Sequence, residues 1–306
     1  MTNILFAAGA QRWTTYEPLL RAELPDATIA CDLPPEEVDY IVYAPGSEVQ
    51  DFTPFTRLKA VLNLWAGVEN VTGNDTLKVP LARMVDTEGL TQGMVEYVTG
   101  HVLRHHLGMD RFINQPLEGW GQEAPPLSAD RPVTILGLGT LGSACAAAIA
   151  ALGFPVTGWS RTPRDVPGIT CLHGADGLDT ALRSAEILVL LLPHTPATRN
   201  LMDAAAIAKL PKGAAIVNPG RGQLIDDDAL LAALDSGQLS HATLDVFRTE
   251  PLPEDHPFRS HPKVTPTPHI AAFTRAETAA RVIAGNVRRG EAGEPFEHLV
   301  DRDAGY

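Results

Sequence analysis

The sequence predicts an α/β fold of two domains, and three observations lead to that prediction. At 306 residues the chain has the length expected for two domains. Strand-like apolar runs alternate with helical stretches, which is typical of parallel sheets. A glycine-rich turn between a strand and a helix, Gly137–Gly142, occurs in the second part and has no counterpart in the first. We therefore expect a separate, smaller domain before the part that contains the glycine turn.

Composition and charge limit the possible functions. The net charge of −13 argues against nucleic acid or an anionic membrane as the main partner, but not against a small anionic substrate. Three cysteines at unrelated spacings form no disulfide or zinc pattern, which favours the reducing cytoplasm. We expect no signal peptide, since the N-terminus lacks a basic segment, and no apolar run is long enough to cross a bilayer.

The N-terminal part is expected to contain several elements of a parallel sheet. They are strands near residues 3–8, 40–44 and 58–64 and a helix that includes 19–24. The third strand leads into Ala66-Gly67-Val68, where the chain turns. Backbone N–H groups at such a turn can bind an anion, although a glycine at the end of a strand is as often structural. Apolar residues at helical spacing then predict one long helix from about Leu90 to His106, which could join the domains.

Two histidines on that helix raise the question of a metal site. His101 and His105 are spaced i, i+4, which can suit a metal ion. No acidic residue of an H-E-x-x-H motif lies between them, so we expect a partly exposed helix face and no metal. The next segment, residues 115–132, is rich in Pro, Gly, Trp and Gln and is expected to form an irregular arm or linker. Trp120 in this arm is expected to pack internally or against another subunit.

The glycine turn is the main functional signal of the sequence. Gly137, Gly139 and Gly142 fit the motif G-x-G-x-x-G, in which the first glycine allows a tight turn. The second lets a diphosphate approach the backbone, and the third lets the following helix pack close to the strand. That helix would direct its free N–H groups at the diphosphate. No Gly-Lys-Ser/Thr follows, so the motif predicts a dinucleotide site and not a P-loop.

The end of the next strand, 155–159, indicates which dinucleotide binds. NAD sites typically place an acidic residue about 20 residues after the motif to hold the ribose 2′-hydroxyl. Ser160 and Arg161 occupy that region here, and no acidic residue occurs before Asp165. A hydroxyl and a guanidinium suit a 2′-phosphate. We therefore expect NADPH to be preferred, with NADH possible.

Four more strands are expected in the second part, at residues 186–192, 214–218, 241–245 and 264–267. Asp226-Asp-Asp228 precedes a helix that ends near Gly237. Carboxylates are favoured at the N-cap and in the first turn of a helix. We therefore expect these aspartates to be structural and not a metal cluster.

The loops after these strands resemble those of a known family. Asn218-Pro-Gly-Arg-Gly222, Asp245-Val-Phe-Arg-Thr-Glu-Pro251 and Pro268-His-Ile-Ala271 are similar to the three signature stretches of the D-isomer-specific 2-hydroxyacid dehydrogenases. The similarity extends through Leu192–Thr198 and back to Ala66–Val68, so it covers nearly the whole chain. Trp159-Ser-Arg-Thr162 and the short C-terminus most resemble the glyoxylate/hydroxypyruvate reductase branch of the family.

The resemblance implies a fold and an assembly. A Rossmann-type doubly wound parallel sheet, residues 99–274, would be inserted into a smaller flavodoxin-like α/β substrate domain made of residues 1–98 and 275–306. The second crossover would be a helix near 276–288. The family also implies a homodimer formed largely through the nucleotide domains, to which the 115–132 arm would contribute.

The resemblance also implies roles for individual residues. Arg221 would bind the carboxylate of a 2-oxo acid and polarise its carbonyl. His269 would act as general acid and base, because the pKa of an imidazole lies near working pH. Glu250 would orient that ring and favour its protonated form. Ala66, Gly67 and Val68 would bind the substrate carboxylate through backbone N–H groups.

The expected cofactor site has more members than the substrate site. The resemblance implies that Asp245, one of them, would contact the nicotinamide carboxamide. The members of the cofactor site are Gly137, Gly139, Thr140, Leu141, Gly142, Ser160, Arg161, Thr162, Leu192, Pro193, Thr198, Pro219, Gly220 and Asp245. Three further residues have weaker signals. We expect His194 to be a loop residue beside the cofactor, Arg83 to hold a carboxylate or a structural ion pair, and Trp65 to wall the pocket or to pack.

Three functions remain open at this point. The leading hypothesis is an NADPH-dependent reductase of glyoxylate, hydroxypyruvate or a related small 2-oxo acid that yields the D-2-hydroxy acid. A dehydrogenase of a bulkier 2-hydroxy acid is the second, and the shape of the pocket would decide between them. A non-catalytic dinucleotide-sensing protein is the third, and the complete set of Arg221, Glu250 and His269 argues against it.

Overall fold

The computed structural model describes residues 1–113 and 123–302. Residues 115–122 of the predicted arm, with Trp120, lie outside these ranges. The described strands are β1 Asn3–Ala7, β2 Thr28–Ala30, β3 Tyr40–Tyr43, β4 Ala60–Asn63, β5 Leu81–Ala82, β6 Val133–Leu136, β7 Val156–Ser160, β8 Thr170–His173, β9 Ile187–Leu190, β10 Ala214–Asn218, β11 Leu239–Leu244 and β12 Val264–Pro266. The described α-helices are α1 Ala10–Glu23, α2 Glu69–Thr72, α3 Gln92–His106, α4 Asp110–Ile113, α5 Thr140–Ala151, α6 Gly174–Ser184, α7 Ala204–Ile207, α8 Asp227–Ser236 and α9 Ala276–Glu291.

The chain divides into two compact units. The first consists of Met1–Leu90 and Phe273–Tyr306, and the second is Thr91–Ala272. The sequence placed the boundaries after residues 98 and 274, which would divide α3. In the structure Met94, Val98 and Val102 pack in the core of the second unit, so the whole helix belongs to that unit. None of the described helices is both long enough and apolar enough to span a bilayer.

The first unit contains a five-stranded parallel sheet in the order β2-β1-β3-β4-β5, which is the flavodoxin-like order. Every residue of β3 and β4 is buried, as expected for strands covered on both faces. Helix α9, expected near 276–288, returns the chain to this unit and contacts α1. Its buried positions recur at helical spacing and include Ala280, Ile283 and Val287.

The second unit contains a seven-stranded parallel sheet in the order β8-β7-β6-β9-β10-β11-β12. It is inserted between the two segments of the first unit. Two separate apolar clusters contain residues of this sheet, one with α3 and α5 and the other with α6 and α8. The predicted fold class, a doubly wound Rossmann-type sheet inserted into a smaller flavodoxin-like α/β unit, is confirmed.

The order of the strands indicates where this unit can bind a ligand. The direction of winding reverses between β6 and β9, and ligands of doubly wound sheets bind outside the carboxyl ends of the strands at such a point. Every residue of the second unit for which the sequence predicts a cofactor or catalytic role lies at the carboxyl end of β6, β7, β9, β10, β11 or β12, or in the first turn of α5.

The aspartates at 226–228 have the structural role that the sequence predicted. Asp226 is the N-cap of α8, and its Oδ1 accepts a hydrogen bond of 3.0 Å from the N–H of Ala229. The next two aspartates lie in the first turn, where the helix dipole favours negative charge. Gly237 ends the helix in the left-handed conformation, with φ 74°.

Candidate active site

The three glycines after β6 differ in their surroundings. Gly137 has φ 112°, and a Cβ there would overlap the carbonyl of Leu191. A Cβ on Gly142 would overlap the carbonyl oxygen of Gly137. Gly139 is exposed, and a Cβ on it would have no atom of the described chain within 4 Å. The first and third glycines are therefore required by internal packing, and the second leaves open space at the N-terminus of α5.

This open space fits a dinucleotide diphosphate. Gly139 is the N-cap of α5 and supplies no side chain to satisfy the first N–H groups of the twelve-residue helix. Thr140 and Leu141 form the first turn beside it. A diphosphate at this position would accept hydrogen bonds from those N–H groups and be stabilised by the helix dipole.

The two packing situations predict different results for two alanine substitutions. Gly142→Ala should lower the free energy of unfolding by about 3 kcal/mol, because the new methyl group forces the helix away from the turn. Gly139→Ala is the matched control and should unfold at the same urea concentration as the wild type. Urea unfolding followed by circular dichroism measures both. A Gly142→Ala protein as stable as the wild type would contradict the packing argument.

The loop after β7 is organised by its own hydrogen bond. Ser160 is buried, and its hydroxyl donates to the carbonyl of Thr162 over 2.8 Å. Arg161 and Thr162 are exposed. The serine hydroxyl therefore shapes the turn, and the guanidinium of Arg161 supplies a permanent positive charge at the end of this strand.

Two further loops at the carboxyl edge are closed by side chains. After β9, the hydroxyl of Thr198 donates to the carbonyl of Pro193 over 2.7 Å, and Leu192 is buried. After β10, the side chain of Asn218 bonds to the backbone of the Pro219-Gly220-Arg221 turn. Its Oδ1 accepts from the N–H of Gly220 over 3.2 Å, and its Nδ2 donates to the carbonyl of Arg221 over 2.9 Å.

The histidine and the glutamate of the predicted catalytic set are directly paired. Nδ1 of His269 lies 2.7 Å from Oε2 of Glu250, and Oε1 of Glu250 accepts a hydrogen bond of 2.9 Å from the N–H of Phe247. The side chains of His269 and Glu250 are 47% and 35% exposed, so they remain accessible at the edge of this unit. Arg221 is partly buried and donates from Nη1 to the carbonyl of Gly220 over 2.7 Å.

Neighbouring charges and hydrogen bonds shift the pKa values of His269 and Glu250. The hydrogen bond with Glu250 raises the pKa of His269, and together with the negative charges of Glu250 and Asp245 it outweighs burial and the positive charge of Arg221. Burial alone would raise the pKa of Glu250. The hydrogen bonds from His269 and Phe247, with the charges of His269 and Arg221, instead hold that pKa below its ordinary value. Because Arg221 acts on both titrations, its guanidinium lies within electrostatic reach of the pair.

The backbone that carries His269 is held in an uncommon conformation. His269 has φ 55°, which is rare for a residue with a side chain. Its N–H donates to the carbonyl of Asp245 over 2.9 Å, and the next two N–H groups donate to the Asp245 carboxylate. Asp245 is fully buried. The position of the imidazole is therefore fixed from behind by the end of β11.

The predicted anion-binding turn lies in the first unit. Nδ2 of Asn63 donates to the carbonyls of Trp65 and Gly67, each over 2.9 Å, and this fixes the Ala66-Gly67-Val68 turn. Trp65 is 37% exposed, and the guanidinium of Arg12 lies 5.7 Å from the centroid of its ring. The N–H of Arg83 donates to the carbonyl of His298 over 3.0 Å.

The histidines of α3 form part of a polar cluster inside the second unit. Nε2 of His105 lies 3.0 Å from Oγ1 of Thr243, and the His105 side chain is only 3% exposed. Both histidines are intermediate in exposure as whole residues, as expected for a partly exposed face, although β11 covers the His105 ring itself. Burial lowers the pKa of His101 and of His241 to about 4. Among the described residues, no three His, Cys, Asp or Glu side chains are grouped to hold a metal ion.

Sequence reasoning missed two polar residues behind the catalytic loop. The hydroxyls of Tyr97 and Thr267 lie 2.7 Å apart, and Thr267 donates to Oδ1 of Asp245 over 2.6 Å. Tyr97 lies within the helix predicted from about Leu90 to His106, and the pattern of the sequence did not show its polar contact. A phenol hydroxyl among the periodic positions of a packed helix needs a hydrogen-bond partner, and that was the available signal.

Comparisons with known proteins identify the family. The NAD binding domain of the D-isomer specific 2-hydroxyacid dehydrogenases matches residues 100–271. A relative named glyoxylate/hydroxypyruvate reductase A, from Yersinia enterocolitica, is 39% identical over 97% of this chain and 96% of its own length. The chain belongs to the D-isomer specific 2-hydroxyacid dehydrogenase family. The membership of this family that the resemblance implied is confirmed. The protein is an oxidoreductase of the 2-hydroxyacid dehydrogenase type.

Solved structures of this family agree with the fold. A D-isomer specific 2-hydroxyacid dehydrogenase from Xanthobacter autotrophicus Py2, in complex with NADPH and MES, has a TM-score of 0.94 and 39% identity, and the match covers 100% of this chain and 99% of that one. An NADPH-dependent glyoxylate/hydroxypyruvate reductase from Sinorhizobium meliloti, in complex with NADP and sulfate, has a TM-score of 0.87 and 34% identity with the same coverage. The family assignment therefore applies to both units of the chain.

Proposed function

We propose that this dehydrogenase is an NADPH-preferring reductase of a small 2-oxo acid of the glyoxylate or hydroxypyruvate type and that it forms the D-2-hydroxy acid. The observation that carries the proposal is the 2.7 Å contact of His269 with Glu250, within electrostatic reach of Arg221. A proton donor and an anion-binding cation are what the reduction of a 2-oxo acid requires. The names of the relatives support the same substrate class.

The loops of the second unit would hold the cofactor. The N-terminus of α5, from Gly137 to Gly142, binds the diphosphate, and the loop of Ser160, Arg161 and Thr162 binds the 2′-phosphate. A contact of Asp245 with the nicotinamide carboxamide stays a prediction from the resemblance, because the carboxylate is fully buried and both of its oxygens accept hydrogen bonds within the chain. The remaining contacts come from Leu192, Pro193, Thr198, Pro219 and Gly220. When bound, NADPH supplies the hydride.

The substrate would be held and protonated by the chain's own side chains. Arg221 donates hydrogen bonds to the substrate carboxylate and polarises the adjacent carbonyl. The protonated imidazole of His269 gives its proton to the carbonyl oxygen as that oxygen becomes an alkoxide. Glu250 stabilises the imidazolium before the transfer, and His269 regains a proton from solvent afterwards. A role of Ala66, Gly67 and Val68 in carboxylate binding stays a prediction from the resemblance.

We further propose that the protein acts as a cytoplasmic homodimer. Exposed apolar side chains are concentrated at and just before α4, in the second unit. They are Leu107, Met109, Phe112 and Ile113. Such a surface is typical of a subunit contact. The resemblance implies a dimer formed largely through the nucleotide domains, to which this surface belongs.

A panel of 2-oxo acids tests the proposed function. We expect NADPH oxidation to be fastest, by kcat/KM, with glyoxylate and hydroxypyruvate, and NADPH to exceed NADH by about tenfold or more, since a phosphate–guanidinium bond is charge-assisted. Faster turnover of bulky 2-oxo acids would favour the second hypothesis. Tight NADPH binding without turnover of any 2-oxo acid would indicate the dinucleotide-sensing protein instead.

The pH dependence of reduction is expected to follow the protonation of His269. Because its imidazolium donates the proton, kcat should be constant below the raised pKa and fall as pH rises through it. Glu250→Gln removes the charge that raises this pKa, so the fall should move to lower pH, and kcat at neutral pH should drop about tenfold. Glu254→Gln, on an exposed carboxylate in the same loop, is the control. An unmoved pH profile in Glu250→Gln would refute the role of Glu250.

A further inference from the structure

A chain of hydrogen bonds through two partly buried hydroxyls and the buried Asp245 carboxylate connects α3 to the loop that carries His269. We propose that Tyr97 and Thr267 are positioning residues, which fix the Asp245 carboxylate and, through it, the placement of His269. Tyr97 lies on α3, Thr267 follows β12, and Asp245 follows β11. All three residues belong to the second unit. The inference rests on the proposed function, because it concerns how His269 is held for proton transfer.

The direction of the hydrogen bonds follows from the chemistry of the three groups. An ionised carboxylate only accepts hydrogen bonds, so the 2.6 Å contact uses the single proton of the Thr267 hydroxyl. The 2.7 Å contact between the hydroxyls must then use the phenol proton. Burial raises the pKa of Tyr97, which keeps that proton in place. Tyr97 therefore donates to Thr267, and Thr267 donates to Asp245.

Asp245 uses both carboxylate oxygens to hold the backbone after His269. Its Oδ1 accepts from the N–H of Ile270 over 2.9 Å, and its Oδ2 accepts from the N–H of Ala271 over 2.8 Å. A rotation of the carboxylate would release both N–H groups. These bonds hold the chain at the residue with φ 55°, so the orientation of Asp245 determines where the imidazole lies.

Tyr97 can serve as a fixed end for this chain because α3 is firmly packed. Its neighbours on the helix, Met94 and Val98, are buried in the cluster that also contains residues of β6 and β9. The Tyr97 ring lies 4.4 Å from the ring of His101, centroid to centroid, which restricts its rotation. The strained loop is thereby tied to a rigid element of the core.

The proposal predicts that the hydroxyls matter for kcat and not for substrate binding. Thr267→Val should lower kcat for glyoxylate about twentyfold, since a hydrogen bond to a charged group is lost, with the KM for glyoxylate within about twofold. Tyr97→Phe should lower kcat about fivefold, because only a neutral bond is lost. Thr267→Ser keeps the hydroxyl and should restore kcat to within about threefold of the wild type.

The double variant distinguishes a chain from two independent contacts. In Thr267→Val the partly buried Tyr97 hydroxyl loses its acceptor, a defect that Tyr97→Phe removes. The double variant should therefore be no slower than Thr267→Val alone, whereas independent effects would multiply to about a hundredfold. Thr134→Val and Tyr40→Phe are matched controls, since each removes a buried hydroxyl hydrogen bond elsewhere. Both controls should keep kcat within about twofold.

Amide hydrogen exchange supplies a readout that does not depend on turnover. The Ile270 and Ala271 amides should exchange about tenfold faster in Thr267→Val, more modestly faster in Tyr97→Phe, and at the wild-type rate in both controls. Unchanged exchange at these amides, or equal losses of kcat in the controls, would overturn the proposal. If the wild type reduces no 2-oxo acid, the proposed function fails, and exchange alone then decides whether Tyr97 and Thr267 fix this loop. If Thr267→Val does not fold, kcat and the amide exchange of Ile270 and Ala271 in Tyr97→Phe test the proposal instead.

Discussion

Replacing His269 with alanine is expected to lower kcat for 2-oxo acid reduction by about a thousandfold, the largest effect of any single substitution at this site. The alkoxide that forms at the substrate would have to take its proton from water, which is a far weaker acid than the imidazolium. The raised pKa of His269 means that the wild-type group carries its proton at neutral pH more often than an ordinary histidine. Steady-state kinetics with saturating NADPH and glyoxylate measure the loss.

Two measurements separate a chemical effect from damage to the fold. His269→Ala should bind NADPH with nearly wild-type affinity in a fluorescence titration, because the cofactor loops follow other strands of the sheet. His173→Ala, on an exposed histidine at the end of β8, is the control and should keep full activity. A His269→Ala enzyme with kcat within tenfold of the wild type would show that another group supplies the proton.

Local chemistry explains why much of this site could be predicted from the sequence. Position 142 requires glycine, because a Cβ would overlap the carbonyl of Gly137. The packing of this turn therefore fixes the spacing of the glycines in the sequence. The same holds for Asp226, whose carboxylate caps α8 three residues before its partner N–H. The candidate catalytic residues each follow a strand of one parallel sheet, and the carboxyl ends of parallel strands meet at one edge. The position of each residue after a strand of the same domain therefore predicted their shared location.

Long-range pairing explains what the sequence could not show. Tyr97 and Thr267 are 170 positions apart, and helical periodicity reveals that Tyr97 lies on a helix but not which hydroxyl it meets. His105 illustrates the same limit, since the partner that covers it, Thr243, lies on a distant strand. The first domain boundary was placed inside α3 for a related reason. Whether a helix packs with the unit before it or the unit after it depends on tertiary contacts that a local pattern does not contain.

Arg221 should be the residue on which substrate binding depends most. Its guanidinium stays charged at every working pH and can form two hydrogen bonds to a carboxylate. Arg221→Ala is therefore expected to raise the KM for glyoxylate about a hundredfold. It should also lower kcat about tenfold, because the substrate carbonyl is no longer polarised. The loss of kcat should appear with every 2-oxo acid on which the enzyme acts, since all of them present the same carboxylate and carbonyl.

Comparison with lysine tests whether charge alone is sufficient. Arg221→Lys keeps the positive charge but loses the planar pair of donors, so its KM should fall between those of the wild type and Arg221→Ala. The pKa of His269 gives a second readout. Its net shift is upward, but the positive charge of Arg221 reduces that shift. In Arg221→Ala the pH at which kcat falls should therefore move upward, and in Arg221→Lys it should move less. Arg183→Ala, which removes a surface arginine paired with Asp179, is the control for general effects of charge. An Arg221→Ala enzyme with an unchanged KM would place the carboxylate anchor on another residue, and an unchanged pH profile would place this guanidinium away from His269.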